Sequence, residues 1–150
     1  MSMADTIDRA LGFLGVGTCI MTSAYDGQRA GMRVLSAQPC SLEPRLIAVA
    51  ARKGHPIEPL IRDSHYFAIC VVDTSQKLVL RKFNADPVDF EEMDSFEDPF
   101  DAFAVDQLVT GSPILTKCIA ALDCEVVRHF DLEADHEIFV GLVLAARAGV

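Results

Sequence analysis

Apolar positions along the chain fall into two rhythms, helical at the start and strand-like over most of the remainder. Ile7, Ala10, Leu11 and Leu14 stand at i, i+3, i+4 and i+7, the stripe of a helix lying on a core, with Asp5 or Thr6 as its cap and Gly15 and Gly17 as its end. Residues 18–24 then read as a strand, Tyr25-Asp26-Gly27-Gln28 as a hairpin turn, and residues 28–36 as the partner strand. Pro39, Pro44 and the polar residues between them predict a loop before a short buried strand over 46–51, and Arg52-Lys53-Gly54-His55-Pro56 predicts a second loop. Residues 56–63 suit a short helix with proline in its first turn, and 66–72 a strand rich in β-branched and aromatic residues. Thr74 or Ser75 is placed to cap a helix carrying Leu78, Leu80 and Phe83. Beyond a turn at Gly111-Ser112-Pro113, two long strands over 119–130 and 137–146 flank a short acidic connection at 131–135, as in a hairpin.

At least six strands joined by hairpins and loops, with few and short helices, argue against a doubly wound α/β sheet. The expected fold is mainly β with peripheral helices, an antiparallel barrel. At 150 residues, without an internal repeat or a linker, the chain is expected to form one domain over 1–150.

Charge changes this picture locally. The net charge is −9, which excludes a general nucleic-acid binder, since phosphate backbones need a basic surface. Nine of the acids lie between Asn84 and Asp106, where there is no Lys or Arg, so the rest of the chain is neutral. From Arg29 to Arg62 six bases stand against two acids, and a local anion site is compatible with the overall sign. Phe90, Phe96, Phe100 and Phe103 are spaced through the acidic stretch. A solvated loop would not need them, so the 84–106 insertion is expected to pack, as a lid or a dimer arm. Hydrophobic residues make up 51% of the chain, a share that predicts apolar surface shared between two subunits.

No apolar run reaches the roughly 18 residues of a membrane helix, and the start of the chain lacks a basic and then apolar leader, so a cytoplasmic protein is expected. Cys19, Cys40, Cys70, Cys118 and Cys124 form no CxxC pair, and the four histidines show no HExxH spacing. No metal is expected. Nor is there a GxSxG, GxGxxG, Walker A or kinase motif.

The stretch Gly31-Met32-Arg33-Val34-Leu35-Ser36-Ala37-Gln38-Pro39-Cys40-Ser41-Leu42-Glu43-Pro44-Arg45-Leu46 resembles the flavin-binding signature of the flavin reductase-like family of split-barrel FMN-binding proteins. Four other stations fall in that family's order. They are the opening hairpin at Asp26-Gly27, Leu60-Ile61-Arg62-Asp63-Ser64 running into Phe67-Ala68, Gly111-Ser112-Pro113-Ile114-Leu115 ahead of Leu122-Asp123-Cys124-Glu125-Val126, and Asp135-His136-Glu137-Ile138-Phe139-Val140-Gly141-Leu142-Val143. Together they span nearly the whole chain except residues 84–106.

This resemblance implies a homodimeric, Greek-key split barrel that binds FMN, or FAD instead, and takes NADH or NADPH as reductant, handing reduced flavin to a monooxygenase partner. Hydride would pass directly from nicotinamide to flavin, so few side chains are required and the absence of a catalytic triad is natural. The resemblance implies flavin contacts from Arg33, Val34, Leu35, Ser36, Cys40 and Ser41, with backbone N–H groups of 34–36 and 40–41 meeting the ring edge and ribityl chain. Arg52 and Lys53 would face phosphate, with Ile57 beside them. Arg33 and Ile57 stand where the family usually has Thr, and Leu35 where it has Ser or Asn. His136 is either the catalytic contact to nicotinamide or a hairpin-edge histidine bonded to backbone. The alternative to an NAD(P)H-dependent flavin reductase is a flavin-binding electron carrier or ligand-binding module without nicotinamide turnover.

Overall fold

The computed structural model describes residues 2–12, 18–84 and 98–148. After helix α1 (Met3–Gly12) come strands β1 (Thr18–Tyr25), β2 (Gln28–Arg33), β3 (Ser36–Leu42) and β4 (Arg45–Arg52). Next in the chain are helix α2 (Ile57–Ser64), strand β5 (Tyr66–Val72) and helix α3 (Lys77–Lys82). A 3-10 turn at Pro99–Ala102 and the short pair β6 (Val105–Asp106) and β7 (Ile114–Leu115) lead into the long hairpin of β8 (Ala120–Asp131) and β9 (His136–Ala148). Seven strands make one antiparallel sheet in the order β2-β1-β5-β8-β9-β4-β3. The outermost strands, β2 and β3, are consecutive in sequence and only Val34 and Leu35 separate them. That link is bonded on both sides: Val34 N–H donates to Cys19 O of β1 at 3.0 Å and Leu35 N–H to Ala50 O of β4 at 3.0 Å. The two ends of the strand order therefore meet, and the sheet is curled rather than flat.

Alternation along the strands sends neighbours to opposite faces. Met21, Met32, Val49, Phe67, Ile69 and Phe139 pack on the inner face beneath Ile57, Leu60 and Ile61 of α2. Ile20, Ala68 and Cys70, one residue away, pack outside with Val79, Phe83, Phe100 and Ile114. The β1–β2 hairpin is set by its turn, since Asp26 (φ 51°) and Gly27 (φ 78°) both have positive φ, the requirement of a type I′ turn that asparagine, aspartate and glycine meet most easily.

Several expectations need correction. The α1 cap is Ser2, not Asp5 or Thr6: Asp5 N–H donates to Ser2 Oγ at 3.1 Å and Ser2 N–H to Asp5 Oδ2 at 3.2 Å, a reciprocal capping arrangement. Its apolar stripe does not lie on a core, because Ile7 and Leu11 are 50% and 57% exposed; Leu14, Gly15 and Gly17 fall outside the described residues. The first hairpin's second strand stops at Arg33, and the expected 39–44 loop is mostly strand β3. Pro39 is tolerated there because β3 lies at the sheet's edge, and the register with β4 skips Cys40 as a bulge. Helix α3 is not capped by Thr74 or Ser75. Asp73 Oδ1 instead accepts the Ser75 N–H at 2.8 Å, and Gln76 begins the helix without a side-chain cap.

The acidic stretch is described only from Asp98 onward, and Phe90 and Phe96 lie outside the described residues. The described end packs as expected: Phe100 sits 4.9 Å from the Phe83 ring, Phe103 5.8 Å, and Arg29 lies over Phe100 while bonding Asp98. Among the described residues no helix is long and apolar enough to cross a membrane.

Candidate functional site

Strands β4 and β9 pair so that Arg52 stands directly opposite His136 and Ala50 opposite Ile138, while Ala50 also faces Ser36 of β3. Residues two apart on a strand share a face, so Ser36, Ala50, Ile138, Arg52 and His136 line the outer side of one end of the sheet. The tight 131–135 hairpin folds back over this end, and Lys53 N–H donates to Asp135 O at 3.0 Å. Asp135 joins the cross-strand pair: its Oδ1 lies 2.8 Å from His136 Nδ1 and its Oδ2 3.6 Å from Arg52 Nη1. The hydrogen bond from His136, aided by Arg52, keeps the Asp135 carboxyl below the usual carboxylate range. An ionised carboxylate on Nδ1 requires the proton there, which leaves Nε2 of the neutral ring as an acceptor. The His136 side chain is 19% exposed, enough to meet a ligand.

The sequence-derived candidates divide by position. Arg33, Leu35, Ser36 and Cys40 are exposed, Leu35 by 69%, with Ser41 partly so. Val34 is buried, and the N–H groups of Val34 and Leu35 are already committed to Cys19 O and Ala50 O. The Val34 and Leu35 N–H groups hold the ends of the sheet together and have no second proton to give a ligand. Cys40 differs, because its bulge takes it out of the ladder register. Ile57 is 1% exposed and belongs to the core under α2, and its N–H donates to His55 Nδ1 at 3.0 Å. It offers nothing to a phosphate. Lys53 Nζ is bonded to Asp131 Oδ1, and Gly54 N–H donates to Glu58 Oε1 at 2.6 Å. What this end of the sheet offers a flavin ring and ribityl chain is the exposed Leu35, the Ser36 hydroxyl, the Cys40 bulge and the Ala50–Ile138 pair of the outer face. The cations of the 52–54 loop and the Gly54 amide are answered by carboxylates of the chain itself.

On the inner side of the same end lies a cavity of about 750 Å³ between α2, β8 and β9, lined among others by His55, Glu58, His129, Glu137 and Phe139. His129 stacks on Phe139 at 4.7 Å and its Nε2 is 2.6 Å from Glu137 Oε1. Burial and a hydrogen bond with Glu58 push the Glu137 carboxyl up to about 7, against the opposing pull of His129. Burial also pushes the His55 imidazole down to about 4. Sequence reasoning missed this cluster. Only the hairpin register, which brings 129 beside 139, hinted at it, while Glu58 arrives from a helix far earlier in the chain.

The Glu137 shift has a measurable sign. A carboxyl raised in the folded state binds protons that the unfolded chain has already released, so the protein loses stability as pH rises from 4.5 towards 7. Glu137→Gln stays neutral. Its melting temperature should equal that of the wild type below pH 4.5, and its advantage should grow to a plateau above about pH 8. Thermal melts across that range check this.

Residues 11–149 match the family model described as flavin reductase like domain. A flavin reductase of Pseudomonas putida is 30% identical over 135 residues, covering 89% of this chain and 73% of its own length. The FMN reductase (NADH) SmoA of Agrobacterium fabrum is 27% identical over 138 residues, covering 91% and 72%. Among solved structures, nitrilotriacetate monooxygenase component B from Mycobacterium thermoresistibile superposes with a TM-score of 0.79 at 25% identity, covering 97% of this chain and 75% of its own.

Proposed function

The chain belongs to the flavin reductase-like family, and from that premise we propose that it is an oxidoreductase that reduces flavin with NADH or NADPH. The family match over residues 11–149 carries this reading. The similarity to an NADH-dependent FMN reductase and to a monooxygenase component supports the choice of reductant and a monooxygenase as recipient of reduced flavin. A bound flavin supplies the hydride acceptor, so the protein's work is binding and orientation.

The ring is assigned to the exposed Leu35 of the β2–β3 link with Ser36 beside it, and to the Cys40–Ser41 bulge, with Arg33 at their margin. His136, held by Asp135, presents Nε2 as an acceptor for an N–H donor such as the carboxamide of nicotinamide. Asp135 thus orients the ring through Oδ1 and tethers Arg52 through Oδ2. Residues 1–150 act as one split-barrel domain with the 84–106 stretch inserted.

The domain works as a homodimer. Leu35 just before edge strand β3 and Leu42 at its end, with Phe130, Leu132 and Leu144 of the long hairpin, are all exposed, and apolar side chains gathered on a surface are normally covered. Light scattering at micromolar concentration should report twice the chain mass. A monomer would rule the dimer out.

The experiment that tests the function is a flavin titration followed by addition of NADH or NADPH. Quenched flavin fluorescence together with flavin-dependent oxidation of the nicotinamide is the expected result. Flavin bound without turnover would leave a carrier. Flavin ignored altogether would sink the reading.

A further inference from the structure

The outer face of the sheet carries a thiol cluster that flavin reduction does not use. Cys70 of β5 pairs with Ala121 of β8, and Ala121 pairs in turn with Arg147 of β9. Residues paired in register share a face, so Cys70 and Arg147 flank Ala121, whose methyl group leaves room above it. Cys118, from the turn after β7, reaches both neighbours: Arg147 Nη2 donates to its Sγ at 3.3 Å, and the Cys70 and Cys118 thiols hydrogen-bond each other. Ile119 N–H donates to Val71 O at 2.7 Å, which pins the two backbones side by side one residue beyond each cysteine. The guanidinium is itself fixed, by Asp106 Oδ2 at 2.9 Å and by the carbonyls of Leu115 and Thr116 at 3.0 and 3.2 Å.

All five cysteines are free thiols, but their surroundings differ. Burial pushes Cys124 up to about 12 and raises Cys19 as well, which makes both poor nucleophiles. The hydrogen bond from Cys70, with Arg147 adding to it and burial opposing, brings Cys118 down to about 6, while Cys70 is held well above the usual thiol range and keeps its proton. Cys118 is 4% exposed, yet Thr116, Lys117 and Ile119 beside it are exposed, a cover thin enough for a small oxidant. We propose that Cys118 and Cys70 are a peroxide-sensitive pair, with Cys118 attacking hydrogen peroxide, Arg147 holding the attacking sulfur and Cys70 resolving the product into a disulfide. The Cys118 thiolate takes one peroxide oxygen as a sulfenic acid, and the O–O bond breaks with release of hydroxide. The Cys70 sulfur then attacks the Cys118 sulfur. The S–S bond forms, the S–O bond breaks, and the oxygen leaves with the Cys70 proton as water. The two thiols lose two electrons and the peroxide gains them. The new bond closes residues 70–118 into a loop containing α3 and the whole 84–106 stretch. Reduced flavin forms hydrogen peroxide on meeting oxygen, so the proposed activity brings the oxidant near, although the thiol step needs only peroxide.

The test is peptide mapping of the full chain after exposure to hydrogen peroxide at neutral pH, with no flavin added. A Cys70–Cys118 cross-link is expected, with a mass loss of about 2 Da and full reversal by dithiothreitol. Cys70→Ala removes the resolving thiol and should leave a sulfenic acid on Cys118 that dimedone traps. Arg147→Met should slow iodoacetamide labelling of Cys118 at neutral pH by about tenfold, with the difference gone above about pH 10, where the thiol ionises unaided, and Arg147→Lys should recover part of the rate. Oxidation confined to the exposed Cys40, or cross-links formed only between chains, would overturn the pair. Labelling as fast in Arg147→Met as in the wild type would overturn the part given to Arg147. Because no flavin is present, each of these outcomes is independent of whether the chain reduces flavin.

Discussion

Replacing His136 by alanine is expected to slow reduction of bound flavin by NADH or NADPH about 100-fold, the usual cost of losing the orientation of one reactant. Flavin affinity should stay within about twofold, because the ring contacts assigned above lie at 33–41, on β3 and its link, and not on β9. The ring of His136 is placed by two constraints, its register opposite Arg52 and the bond from Nδ1 to Asp135. Asp135→Asn keeps the size of the side chain and an oxygen for Nδ1–H but gives up the charge that draws in Arg52, so a milder loss of about tenfold is expected. A purely structural histidine predicts another pattern, a stability loss of about 1 kcal/mol with turnover per flavin site unchanged. Stopped-flow reduction normalised to flavin content separates the two. An unaltered rate in His136→Ala would take the residue out of the reaction.

The largest expected effect on stability is at Gly141. A Cβ built there would lie 2.5 Å from Phe67 Cζ and 2.8 Å from Cys124 Cβ, and both neighbours are fully buried. The Cys124 atom is tied directly to the β8 backbone, and the Phe67 ring sits in the middle of the inner core with nowhere to swing. Gly141→Ala should therefore cost about 3 kcal/mol, the upper end of overpacking penalties, and lower the melting temperature by roughly 10 °C. Urea denaturation checks the first figure and calorimetry the second. If the Phe67 ring is the obstacle, adding Phe67→Leu should make the double variant less destabilised than the sum of the two single changes. Strict additivity would place the cost elsewhere.

Gly141 also illustrates how far the sequence could be read. It stands in the Phe139-Val140-Gly141-Leu142-Val143 stretch that carried part of the family resemblance, yet nothing in that pattern says why a side chain is barred. The reason is the inward approach of β5 and β8. His136 was legible in the same way, as the histidine of Asp135-His136, while its pairing with Arg52, from a strand more than half the chain away, was not. Ile57 was picked out because a threonine is usual there, and the fold instead turned its side chain into the core.

Features legible along the chain are local or pattern-borne. The Asp26-Gly27 turn, the 131–135 hairpin, the period of β5 and the order of the family's stations depend on residues a few positions apart, whose conformations neighbouring sterics and burial already dictate. Folding was needed to make residues 36–42 a strand, because an edge strand interrupted by Pro39 has too little intrinsic preference and becomes one only when β4 supplies its hydrogen-bond partners. Folding also set the electrostatics of the site. Read along the chain, Arg52 and Lys53 are a basic pair awaiting an anion. Folded, they lie under the carboxylates of Asp131 and Asp135, because Coulomb attraction acts across a few ångströms of space regardless of how many residues of chain lie between.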